Sequence, residues 1–225
     1  MFRCLLVLIV VGALTAYIFK IMLMLDVNKR VYNHRPGPCR KVEGVEHGSE
    51  DIALIEEDGI AFITSGIYYM APRGKNVKGQ IFLYDFNQEG TWKAIPVKIN
   101  GKYDQENFHP HGISHIVTSP RTIRLFVISH SNSFKHSVFV LDWDRKARQL
   151  NLVRVIEDEK FIRPNDLVAV SKDAFILTND GSSQSSLLNK LEILSMLPLG
   201  SIVFYDGKGS HWLKTSAIST EWHRT

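Results

Sequence analysis

The sequence predicts an all-β fold built of propeller blades and preceded by one transmembrane helix. Three observations carry this: an apolar run at the N-terminus, three copies of one strand-rich unit further along, and acidic or amide residues at the starts of the first and third copies. The copies begin about 50 to 60 residues apart, which is the period of four-stranded propeller blades.

The apolar run comes first. Residues 4–19 are apolar except for Thr15 and Tyr17, and beyond Lys20 the segment IMLML continues to Asp26. That is about the 20 residues needed to cross a bilayer, and Lys20 can snorkel near its end. A cleaved signal peptide has a shorter apolar core ending in small residues, whereas this one runs on into Met, Leu and Met. A retained signal-anchor is therefore expected over residues 1–25. Arg3 precedes the segment, and Lys29, Arg30 and Arg35 follow it. Counted by charge, this places the C-terminal side in the cytoplasm. Residues 26–40, which contain Arg35-Pro36-Gly37-Pro38, read as a juxtamembrane linker.

The blades follow over residues 41–206. The first copy is DIALIEEDGIAFITS (Asp51 to Ser65) with GQIFLYD ending at Asp85. The second is GISHIVTSPRTIRLFVIS (Gly112 to Ser129) with SVFVLD ending at Asp142, and the third is DLVAVSKDAFILTND (Asp166 to Asp180) with SIVFYD ending at Asp206. Each has a β-rich strand, a polar turn, a strand of Phe and β-branched residues, and a third strand closed by Asp. A weaker fourth strand follows, KAIPVKI (Lys93 to Ile99) or LNLVRVI (Leu150 to Ile156). A β-sandwich is the rival architecture, but it does not account for the recurrence of whole units.

The first strand of a blade lines the central channel, so Glu50-Asp51, Gly112-Ile113 and Asn165-Asp166 are expected to converge. Two or more acidic groups and an amide meeting in a narrow tunnel repel one another unless a cation joins them. Their hard oxygen donors suit calcium rather than zinc. The competing reading is that these Asp and Asn residues only cap turns.

Composition narrows the remaining classes. Hydrophobic residues make up 44% and charged residues 22%, so a folded core is expected. The net charge of +4 comes from 27 basic and 23 acidic residues spread along the chain without a basic block, and nucleic-acid binding is not expected. Of the two cysteines, Cys4 lies in the apolar run, which leaves Cys39 alone in the remainder. It is either a free thiol or one that lacks its partner.

GSED (Gly48 to Asp51), PHGIS (Pro110 to Ser114), PNDLVAV (Pro164 to Val170) and TND (Thr178 to Asp180), in that order, resemble the paraoxonase and arylesterase family. The resemblance implies a six-bladed propeller holding two calcium ions, of which this chain supplies about three blades. It assigns Glu50 and Asn165 to a catalytic ion, and Asp51, the carbonyl of Ile113 and Asp166 to a structural one. It assigns His111 as the general base and His130 as its assistant, and Tyr69 to the wall of the substrate pocket. His109 and His115 receive no role.

The implied activity is calcium-dependent hydrolysis of small aryl esters and lactones, with the propeller on the luminal or extracellular side of the membrane, opposite to the charge count. The remaining calcium ligands belong to later blades of the family, and its disulfide joins the Cys39 position to a distant C-terminal cysteine. The resemblance therefore implies an impaired site, and a missing partner for Cys39. Residues 207–225 read as a divergent tail. The alternative function is that of a non-catalytic, membrane-tethered factor assisting the assembly of membrane-protein clients.

Overall fold

A computed structural model describes residues 2–30, 32, 37–45, 48–67 and 77–213. The chain divides into two units, Met1–Arg40 and Lys41–Thr225. The first is dominated by helix α1, Phe2–Met24, 23 residues without a buried side chain. At about 1.5 Å per residue it is long enough to cross a bilayer, and it is apolar enough to do so. A signal sequence meets the same test. Cys39 is exposed, with its sulfur 3.7 Å from the Gly37 carbonyl.

The second unit is three antiparallel meanders that follow the three sequence copies. Strands β1 (Ile52–Ile55), β2 (Ile60–Ser65), β3 (Gln80–Asp85) and β4 (Ile95–Pro96) form one sheet in that order. The next contains β5 (Ile99–Asn100), β6 (Pro110–Ser119), β7 (Thr122–His130), β8 (His136–Asp144) and β9 (Gln149–Ile156), in the order β5-β9-β8-β7-β6. The third is β10 (Pro164–Ala169), β11 (Phe175–Asn179), β12 (Ser201–Tyr205) and β13 (Ser210–Leu213). This is a partial, propeller-like all-β fold.

Three features depart from the sequence reading. KAIPVKI is not one strand. Pro96 has no N–H to continue a ladder, so β4 ends there, and after two residues β5 pairs in parallel with β9 of the next sheet, Ile99 opposite Leu150. This crossing stitches the first two blades together. The start of the expected tail forms β13, which pairs with β12 from Ile202↔Leu213 to Tyr205↔Ser210 and completes the third blade. Finally, helix α2 (Ser186–Ser195) stands between β11 and β12, with Ser185 as its N-cap.

Alternate residues of each strand fill the spaces between sheets. Between the first and second, Phe62, Ile81 and Leu83 pack with Ile123, Leu125 and Trp143, and the Phe62 ring meets Trp143 edge-on at 5.1 Å. Between the second and third, Phe126, Ile128 and Val140 meet Phe161, Phe175 and Val203. Charge also ties the blades. Arg124 donates from Nε and Nη2 to Asp142 at 2.8 and 2.9 Å and from Nη1 to the Lys172 carbonyl at 2.8 Å. Arg145 reaches from the second blade to Asp58 of the first at 2.7 Å.

Candidate active site

The sequence-selected residues meet because the innermost strands are interrupted at the same place. In β6 the pairing runs Pro110↔Ser129 and then Ile113↔Val127, so His111 and Gly112 together oppose one residue of β7. In β10 it runs Pro164↔Asn179 and then Leu167↔Leu177, so Asn165 and Asp166 together oppose Thr178. Each is a two-against-one bulge, which twists a strand and re-aims its side chains. One of the dipeptides singled out by the sequence copies, Asn165-Asp166, thus sits on a bulge, and Gly112 of a second sits on the other with His111.

A repeated clip anchors the acidic residues. The Asp51 backbone N–H donates to Thr64 Oγ1 at 3.1 Å, and that hydroxyl returns to the Asp51 carbonyl at 3.3 Å. Asp166 and Thr178 make the same exchange at 3.4 and 3.2 Å. Asp51 then spans two blades: its Oδ1 accepts from its neighbour Ile52 N–H at 2.7 Å and its Oδ2 from Ile113 N–H at 2.8 Å. The resemblance assigned the Ile113 carbonyl to a structural ion together with Asp51; the contact present between the two residues is the Ile113 N–H donating to Asp51 Oδ2.

Two glycines make this approach possible. A Cβ on Gly112 would lie 2.7 Å from the Asn165 carbonyl oxygen and 2.8 Å from Asp166 Cα. Gly48, at φ +71, brings its own backbone against Ile67, where a Cβ would lie 2.6 Å from nitrogen. A left-handed backbone in such close contact favours glycine.

Negative charge accumulates here. The Asp166 carboxyl is raised to about 6, first by burial and then by the charges of Asp51 and Glu50, against hydrogen bonding from Leu167 N–H and the field of His111. Burial also raises Asp180, whose Oδ2 accepts from Asn165 Nδ2 at 3.2 Å. No three His, Cys, Asp or Glu side chains among the described residues stand close enough together to hold a metal ion by themselves.

Beside the carboxylates runs a line of imidazoles. His111 Nε2 lies 3.3 Å from Glu50 Oε2, and its Nδ1 lies 2.8 Å from His130 Nε2. His130 Nδ1 in turn lies 2.7 Å from His136 Nδ1. Burial is the main force lowering His130 to about 2 and His136 to about 4, and neighbouring positive charge adds to it.

The site thus contains six of the residues expected from sequence, Glu50, Asp51, His111, Asn165, Asp166 and His130, with Ile113 attached through its N–H. Tyr69 lies outside the described residues. His136 and Asp180 were given no role by the sequence, though the short loop between His130 and His136 was a signal that they face each other. His109, also unassigned, is buried: its Nδ1 lies 2.8 Å from the Gly66 carbonyl and its Nε2 3.0 Å from Asn132 Oδ1. It pins the start of β6 to the first blade.

Fold and site together define a blade-forming β protein with an imidazole line facing a carboxylate cluster. The chain belongs to the arylesterase family, whose model matches residues 23–217. It is 32% identical over 182 residues to serum paraoxonase/lactonase 3 of Homo sapiens, covering 80% of this chain and 51% of that protein. Serum paraoxonase/arylesterase 2 of Gallus gallus is 33% identical over 172 residues, covering 76% and 48%. Serum paraoxonase/arylesterase 1 of Homo sapiens is 31% identical over 170 residues, covering 74% and 47%. The chain spans about half the length of these curated relatives.

Proposed function

We propose that this site hydrolyses small carboxylic esters, aryl esters and lactones among them. The observation that carries the reading is the line Glu50–His111–His130: a buried imidazole with one nitrogen at a carboxylate and the other on a second imidazole. In this reading His111 is the base, taking a proton at Nε2 from a water that adds to the substrate carbonyl. His130 accepts from His111 Nδ1 and steadies the positive charge that develops on the ring.

The donor set fits calcium. Asp166 and Asp180 are raised by burial among like charges, a state that a cation bound by hard oxygens would relieve. Glu50 and Asn165 would hold one ion, and Asp51, Ile113 and Asp166 a second. When bound, calcium polarises the carbonyl and stabilises the oxyanion. The names of the relatives, lactonase and arylesterase, support the substrate class. The same reading retains α1 as an anchor over residues 1–25, a linker over 26–40, and blades from residue 41 that face the lumen or exterior, the third of them including β13 at Ser210–Leu213.

The test uses the full chain with phenyl acetate and a small lactone in calcium-containing buffer. Turnover that His111→Gln and Glu50→Gln each reduce by on the order of 10²-fold supports the assignment. Turnover unchanged in both variants overturns it.

A further inference from the structure

Beside the imidazole line stands a cation that the hydrolysis above does not use. Arg163 lies two residues before Asn165, at the entry to β10, and its backbone is held on both sides. Its N–H donates to Oδ1 of the buried Asn179 at 3.1 Å, and its carbonyl accepts from Asp180 N–H at 2.9 Å. Pro164 follows, which biases Arg163 toward extended backbone. The side chain then runs past Gly181, where a Cβ would lie 3.5 Å from Arg163 Cδ and 2.5 Å from Glu192 Oε2.

The guanidinium comes to rest on Phe134, 4.8 Å from the centre of its ring. Phe134 takes the left-handed conformation at φ 60, uncommon for a bulky side chain. Its ring lies parallel to His130 at 5.9 Å and edge-on to His136 at 4.6 Å. The strained residue of the β7–β8 hairpin is therefore the one that carries the cation at the edge of the site.

The donors of this cation are unused among the described residues. The Arg163 guanidinium makes no hydrogen bond or ion pair with them, and its Nε is buried without a partner. Two carboxylates stand near enough to feel its charge, Asp180 and Glu192, and both are turned to other donors. Asp180 Oδ2 accepts from Asn165 Nδ2 at 3.2 Å. The Glu192 oxygens accept from Ser182, one from its hydroxyl and the other from its N–H at 3.1 Å. An arginine that served only to tie blades together would pair as Arg124 does with Asp142 and Arg145 with Asp58. A buried donor without an acceptor is destabilising, and a bound acceptor removes that cost.

We infer that Arg163 is an anion-binding residue of the site: it receives a carboxylate carried by the substrate, and so selects esters and lactones that bear an acid group away from the bond that is cleaved. The inference rests on the hydrolase reading for the reaction, though not for the binding of the anion. The planar fork of a guanidinium matches a carboxylate through two parallel hydrogen bonds. With Asp180 and Glu192 close by, a singly charged carboxylate suits a single guanidinium better than a doubly charged phosphate does. Because Arg163 meets His130 through the Phe134 ring, the anion it holds is a second group of the substrate, distinct from the carbonyl under attack.

The experiment compares monophenyl glutarate, which carries a free carboxylate, with the neutral phenyl butanoate, using the full chain in detergent micelles and calcium-containing buffer. In Arg163→Gln, kcat/KM on monophenyl glutarate is expected to fall by about 10- to 10²-fold more than on phenyl butanoate. Arg163→Lys keeps the charge over the Phe134 ring but not the fork, and is expected to lose less. An equal loss on both substrates overturns the inference, since a side chain that only props the hairpin acts on both alike.

Calorimetric titration with glutarate reads binding without turnover. Binding about tenfold weaker in Arg163→Gln than in the wild-type chain is expected. Equal affinity in the two chains, or no binding by the wild-type chain, overturns the inference. Should the wild-type chain hydrolyse neither ester while its glutarate binding depends on Arg163, the anion site stands and the hydrolase reading fails.

Discussion

Replacing Gly112 by alanine tests the closest backbone approach in the site. The added Cβ would lie 2.7 Å from the Asn165 carbonyl oxygen, 2.8 Å from Asp166 Cα and 2.9 Å from Asp166 Oδ1. Ordinary contact begins near 3.4 Å, so β6 and β10 must separate by about 0.5–0.7 Å, and two of the three obstacles are backbone atoms that cannot rotate away. Overpacking of this kind costs about 1–3 kcal/mol. The shift also moves His111 against Asn165 and Asp166, and with about 1 Å of misplacement costing on the order of 10²-fold in rate, a loss of at least several-fold is expected.

Gly209→Ala is the control, since a Cβ there meets nothing within 4 Å and a neutral surface change stays within about 0.5 kcal/mol. Urea unfolding of the full chain and its two variants, followed by Trp fluorescence, reads the first quantity, and initial rates on phenyl acetate read the second. A Gly112→Ala chain as stable as Gly209→Ala would refute the account of how the two bulged strands meet.

Two further predictions concern solution conditions. His130 and His136 are held neutral, with pKa values lowered to about 2 and about 4, whereas in the unfolded chain a histidine titrates near 6.5. Between these values the unfolded state binds more protons, so stability is full above about pH 6.5 and declines as pH falls toward 4. Urea midpoints from pH 7.5 to 4.5 should fall, and fall less in a His130→Gln/His136→Gln chain; parallel curves contradict the assigned neutrality. Calcium at about 100 times its dissociation constant should stabilise the fold by about 2.7 kcal/mol. Asp51→Asn and Asp166→Asn should each weaken that gain in a calorimetric melt, and an equal gain in all three chains contradicts the proposed ligands.

Strand identity was legible in the sequence because β-strands of this kind are written locally. The β-branched and aromatic runs in QIFLYD or SVFVLD and the recurrence of whole units demanded blades, and the repeat register alone brought Glu50-Asp51, Gly112-Ile113 and Asn165-Asp166 to one place. The apolar run likewise announced α1, since length and composition suffice for a membrane-spanning helix.

What the sequence did not determine depended on partners far along the chain. A bulge is a property of two strands, so the extra residues at His111-Gly112 and Asn165-Asp166 appear only once β6 and β10 are paired with β7 and β11. The division of KAIPVKI between two sheets and the pairing of β13 with β12 are decisions of the same kind. So is the imidazole line: His130 and His136 were both visible as residues, but their 2.7 Å contact exists because the β7–β8 register sets them opposite and Phe134 closes over them. Periodicity fixes which way side chains alternate along a strand, while the chemistry of the site is set by which strand lies beside it, a matter of long-range packing.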